Sequence, residues 1–109
     1  MDNAHTLYTD GMTPEQKEMA LYEAAVERFG SMAQIDQTIE EMAELTVALN
    51  KYKRYIRFRQ GSEEDVRRHI AEERADVSIM LCQLDVIFGD NSDMECRKLE
   101  HLEGLVKDV

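Results

Sequence analysis

Placed at about 100° per residue, the apolar positions of the chain fall into four stripes separated by breaks that contain glycine. Met19, Tyr22, Val26 and Phe29 form the first. Thr13 caps that helix, Pro14 fills its first turn, Gln16 closes a capping box and Gly30 ends it. Ile35, Ile39, Met42, Leu45, Leu49 and Ile56 form the second stripe, on a helix opened by a box over Ser31–Gln34 and running to about Arg59. After Gly61, Ser62 caps a third helix whose early acids, Glu63, Glu64 and Asp65, suit the positive end of a helix dipole. That helix runs to Phe88, with Gly89 past its end. Ser92–Glu95 opens a fourth, striped by Leu99, Leu102, Val106 and Val109. The pattern predicts an all-α, four-helix bundle-like fold with two long central helices and two shorter ones. Short connections make neighbours antiparallel. Residues 1–12, which include His5 and Tyr8, show no periodicity and read as a loose arm before one domain over 13–109. The long hairpin outruns the short helices, so the pattern also predicts a homodimer or homotetramer.

Acids interrupt this pattern in one place. On the third helix His69, Glu73, Asp76, Met80, Leu84 and Ile87 share one stripe, with Val66, Val77 and Phe88 alongside. Glu73 and Asp76 therefore sit where a solvated carboxylate does not belong. On the second helix Glu41 borders the apolar stripe, and Glu44 lies further out, in line with Gln37, Ala48 and Tyr55. Residues three apart on a helix are neighbours, so Glu41/Glu44 and Glu73/Asp76 are each a pair aimed at one place. The 28 residues between Glu44 and Glu73 leave room for a helix to end, turn and return. Four carboxylates converging from two antiparallel helices need protons or cations. The competing reading is a solvated acidic face, in a chain with 23 acidic residues out of 109.

Composition changes the picture little. No apolar run approaches the ~20 residues of a membrane span and no signal-peptide pattern opens the chain, which places it in the cytosol with no membrane partner. Cys82 and Cys96 lack metal or redox spacing and read as reduced thiols. A net charge of −10 makes nucleic acid an unlikely partner. Eight of the thirteen basic residues nevertheless lie between Lys51 and Arg74, interleaved with Tyr52, Tyr55 and Phe58. They either balance helix dipoles or form an anion-binding hairpin tip. Lys51 and Tyr55 continue the Glu41–Glu44 side of their helix, so they face whatever the carboxylates hold. His69 reads as a satisfied core or helix-start histidine, and Met42 and Met80 as packing residues.

Carboxylate-only ligands select hard cations, Mg²⁺ first and Mn²⁺ as the alternative. A di-iron bundle site would need E-x-x-H on two helices, and Glu44 and Asp76 stand where histidine would be. No phosphate-cradling glycine loop, Ser/His/Asp set or nucleophilic cysteine is present. The pattern points to a Mg²⁺ cluster able to hold a polyphosphate and activate water.

The run E-E-M-A-E at Glu40–Glu44, the 28-residue gap and E-R-A-D at Glu73–Asp76 resemble the MazG-like family of all-α nucleotide pyrophosphohydrolases. The resemblance extends from about Phe29 to Leu102 and includes N-K-Y-K-R at Asn50–Arg54 and the apolar helix after Ala75. It is closest to the short single-domain members of phages and bacteria. It implies hydrolysis of a nucleoside triphosphate between the α and β phosphates, giving a monophosphate and pyrophosphate. It also implies Glu41, Glu44, Glu73 and Asp76 as Mg²⁺ ligands, with Glu40 or one of the ligands orienting the attacking water. Lys98-Leu99-Glu100-His101-Leu102 is similar to the family's K-L-x-R-L stretch, so Lys98 becomes a substrate-binding candidate beside Lys51 and Tyr55; His101 replaces the arginine. With no tryptophan in the chain, base recognition falls to Tyr52, Tyr55, Phe29 or polar groups. The rival expectation is a non-catalytic helical interaction module whose basic tip, residues 51–74, contacts nucleic acid or a protein.

Overall fold

A computed structural model of the chain describes residues 7–108, so His5 and Val109 lie outside the described residues. Four helices follow in order: α1 (Pro14–Phe29), α2 (Ser31–Phe58), α3 (Glu63–Phe88) and α4 (Ser92–Lys107). No strand occurs among the described residues.

Two of the predicted starts take the expected form. The Thr13 hydroxyl accepts from the Gln16 backbone N–H at 3.1 Å while the Gln16 side chain accepts from the Thr13 N–H at 2.8 Å. The Ser62 hydroxyl accepts from the Asp65 N–H at 3.1 Å. The box predicted at Ser31 and the cap predicted at Ser92 do not form. Ser31 is already the first residue of α2, because Gly30, at φ +90°, is the only residue between α1 and α2. Gln34 is thereby free to turn inward instead of capping. Asn91 stands at the start of α4 without a side-chain cap, and the Ser92 hydroxyl donates to the Asp90 carboxylate.

Packing is uneven. Gln34 meets Gln83, Glu41 meets Asp76 and Tyr52 lies under Arg67, so numbers rise on α2 as they fall on α3: the long hairpin is antiparallel. α1 lies against this hairpin, mainly on α3. α4 packs against none of the other three helices, contrary to the expected antiparallel neighbour, and every described residue of α4 is exposed. The radius of gyration, 18.2 Å, exceeds the roughly 13 Å expected for a compact domain of this length.

The α3 stripe is the predicted one: His69, Glu73, Asp76, Leu84 and Ile87 are half-buried and Met80 buried, while Phe88 stays exposed. The α2 stripe is not. The face of α2 turned to α3 carries Gln34, Thr38, Glu41, Leu45, Ala48, Tyr52 and Tyr55. Ile39, Met42, Leu49 and Ile56 are left 45–62% exposed. Ala48, fully buried, has the small side chain that lets the helices approach; a larger apolar residue there would hold them apart. On α1 only Tyr22 and Val26 of the expected stripe are half-buried; Met19 and Phe29 are exposed, since α1 has one face against the hairpin and nothing beyond it. Among the described residues, Gln34, Thr38, Ala48, Met80 and Gln83 alone are buried, and three of these five are polar.

Candidate metal centre

The polar interior has two parts. Near the α1 end of the hairpin, the buried Gln34 amide donates to the Gln83 side-chain oxygen at 2.6 Å, and the Thr38 hydroxyl donates to the Gln34 carbonyl at 2.7 Å. Each amide thus has a partner, as burial requires. One to two turns further along the hairpin the carboxylates meet, and there the accounts do not balance.

Ligand oxygens of Glu41, Glu73 and Asp76, all half-buried, lie within 4.8 Å of one another. Oxygens of Glu40, Glu41 and Glu44 form a second such group on α2. Glu44, itself exposed, raises the pKa of both Glu41 and Glu73 through its neighbouring charge. Glu41, Glu73 and Asp76 thus come together from two helices, while Glu44 groups with Glu40 and Glu41 on α2. Burial first, then contact with Glu44 and the charges of Asp76 and Glu44, pushes the Glu41 carboxyl up to about 7. Glu73 is raised for the same leading reason, burial, reinforced by the charges of Glu44 and Asp76. His69 opposes the rise, with its Nε2 3.5 Å from Glu73 Oε1. The other oxygen, Glu73 Oε2, is buried with no hydrogen-bond partner. An unpartnered buried carboxylate oxygen costs several kcal/mol unless a proton or a cation meets it.

This donor set suits a hard divalent cation: oxygen only, clustered within one ion's reach, and short of positive charge. Glu41, Glu44, Glu73 and Asp76 would hold it. Glu40 lies on the rim, exposed, with one oxygen accepting from the Gln37 amide at 3.3 Å.

The other candidates are placed less closely. Lys51 is exposed on α2, two turns beyond Glu44. Tyr55 is half-buried, and its ring lies 5.3 Å from the Arg59 guanidinium, the left-handed residue (φ 55°) that closes α2. Lys98 is on α4, which does not approach the carboxylates of its own chain. At the hairpin tip Arg67 pairs with Glu63 at 2.9 Å and Arg68 with Asp65 at 2.7 Å, and Arg67 also covers Tyr52. Those two bases offset the acids that open α3. Lys51, Lys53, Arg54 and Arg57 remain exposed on α2.

The Gln34–Gln83 pair was not foreseen from sequence. Its signal was the polar i, i+4 pair Gln34/Thr38, which reads as a solvated face until the helix is oriented. Compared with family models, with curated proteins and with solved structures, the chain matches none of them.

Proposed function

We propose that the chain is a Mg²⁺-dependent nucleoside triphosphate pyrophosphohydrolase, acting as a homodimer or homotetramer in the cytosol. The observation that carries this reading is Glu73 Oε2, buried and unpartnered among the oxygens of Glu41 and Asp76. A solvated acidic face would leave no such atom. In this reading Glu41, Glu44, Glu73 and Asp76 hold the cation. When bound, it polarises phosphoryl oxygens and lowers the pKa of a coordinated water.

The chain's own residues then have distinct tasks. Glu40, on the rim with an oxygen within 4.8 Å of those of Glu41 and Glu44, orients the attacking water and accepts its proton. Water attacks the α-phosphorus, the bond to the α–β bridging oxygen breaks, and pyrophosphate leaves. Lys51 neutralises phosphate charge from the open side of α2, and Tyr55 lies further along toward the base. Lys98 enters only if another copy presents its α4. The half-buried position of Glu73 and Asp76 keeps bulk water from screening these charges.

The test is pyrophosphate release from a panel of ribo- and deoxyribonucleoside triphosphates, with Mg²⁺ and with chelator. Metal-dependent release of pyrophosphate and monophosphate is expected. No release from any triphosphate, with metal bound, would sink the reading in favour of an interaction module. The exposed Lys51, Lys53, Arg54 and Arg57 favour that second reading, which predicts salt-sensitive nucleic-acid binding at micromolar protein.

A further inference from the structure

Of the ion-pair contacts among the described residues, one reaches the carboxylate cluster. Arg67, Arg68 and Lys107 pair with Glu63, Asp65 and Glu103, all through side chains more than half exposed. His69 instead turns to Glu73. Its Nε2 lies 3.5 Å from Glu73 Oε1, and the two side chains are 33% and 13% exposed. Helix geometry brings them together. Side chains lean toward the N-terminus of their own helix, so Glu73 on α3 reaches back over the turn that carries His69. The two oxygens of Glu73 then have different surroundings. Oε1 has the imidazole beside it, while Oε2 is buried without a hydrogen-bond partner.

We propose that His69 is a positioning residue for the metal centre: it holds Glu73 Oε1 and so leaves Oε2 as the oxygen turned to the cation. The proposal rests on the Mg²⁺ reading above and adds to it a residue that touches neither metal nor substrate.

Three observations argue for it. The first is the demand on Glu73, which supplies one oxygen to the group it forms with Glu41 and Asp76. A ligating carboxylate that swings freely cannot keep such a position, and a partner on its other oxygen fixes its orientation. Glu41 is flanked by Glu44 and Asp76, whose charges repel it, so the fixed point of the cluster falls to Glu73. The second is that both groups of oxygens within one ion's reach are carboxylates alone, which leaves His69 outside them. The third is the chemistry of the donor. An imidazole N–H donates without the permanent charge of lysine or arginine, which would compete with the cation for the same carboxylates. At 3.5 Å the contact is an ion-pair distance and not a tight hydrogen bond, so its loss should weaken metal binding without abolishing it.

Calorimetric titration with Mg²⁺ alone, without nucleotide, tests this. Wild type should bind, and His69→Leu should bind ~10–100-fold more weakly, the usual effect of removing a ligand's partner. The amide nitrogen of glutamine falls where Nε2 stands, and that of asparagine falls short of it. His69→Gln should therefore recover most of the lost affinity, while His69→Asn should stay as weak as His69→Leu. The asparagine variant also decides the matter if His69→Leu fails to fold, which circular dichroism would reveal. Arg68→Gln, one residue away and paired with Asp65, should bind as wild type does. Unchanged affinity in both His69→Leu and His69→Asn overturns the proposal. So does equal weakening in all three His69 variants: uniform across metals it would mean a merely structural role, and larger for Co²⁺ than for Mg²⁺ it would make His69 a ligand. Wild type with no affinity for Mg²⁺ is a different failure, which removes the metal reading itself and this proposal with it.

Discussion

The two faces of α2 are reversed relative to a simple amphipathic helix. The inner face presents Gln34, Thr38 and Glu41 to α3, and the outer face presents Ile39, Met42, Leu49 and Ile56 to solvent. The inner face contributes little hydrophobic burial, its one buried apolar residue being Ala48. What it offers is polar groups held at fixed positions. The outer face has the apolar area and is left exposed among the described residues. Clustered polar groups and uncovered apolar area thus lie on opposite sides of one helix, and substitutions can address each separately.

The largest effect expected from breaking the inner face is on hydrolysis. Asp76→Asn and Glu41→Gln each delete a charge at nearly constant volume. Charge stabilisation by a bound cation is worth several kcal/mol, so Mg²⁺-dependent turnover should fall more than ~100-fold. Glu64→Gln, an exposed acid in the first turn of α3, should leave it unchanged. Equal activities in all three variants would show the acids to be a solvated face. Mg²⁺ should raise the melting temperature of wild type and of Glu64→Gln but not of Asp76→Asn.

A smaller effect sharpens the contrast in stability. Gln83→Leu strands the Gln34 amide in a buried site and should cost ~1–3 kcal/mol by denaturant unfolding. The double change Gln34→Leu/Gln83→Leu should recover most of that. If the single variant is as stable as wild type, the inner face is not held by its polar pair.

The smallest is a pH dependence in metal-free buffer. Glu41 is raised from an ordinary value of 4.5 to about 7 in the folded chain, and Glu73 is raised in the same direction. The folded state therefore binds these protons more tightly than the unfolded state. Their contribution to stability is fully present below about pH 4.5 and is lost as pH rises through about 7. The melting temperature should fall across that window, less steeply in Glu41→Gln, and the fall should shrink when Mg²⁺ is added. A Glu41→Gln profile that parallels wild type would mean that Glu41 ionises freely.

The sequence discloses the site better than it discloses the packing. Carboxylates three residues apart must share a helix face, and Glu73 and Asp76 lie in an apolar stripe, so their convergence was legible from spacing. The α3 stripe was legible because its large apolar residues and its packed face coincide. On α2 they do not coincide. Periodicity reports which face must leave water, not what covers it, and it pointed to Ile39, Met42 and Leu49, which stay about half exposed or more. The stripe of α4 has the same limit: Leu99, Leu102 and Val106 call for a cover that the described residues do not provide. The box expected at Ser31 failed for a local reason. The single-residue turn at Gly30 puts Ser31 inside α2, and Gln34 is drawn to Gln83 instead.

The detachment of α4 bears on how an assembly would respond to dilution. Only residues 89–91 join it to α3, so α4 cannot move far from the base of the hairpin. In an assembly joined through some other surface, any seat for α4 on a neighbouring copy would be presented at the effective concentration of a short tether, in the millimolar range. A contact too weak to hold two free chains together would then close without a further loss of translational freedom. Two modest surfaces on separate helices would act as a single strong one, and subunits would leave only when both let go.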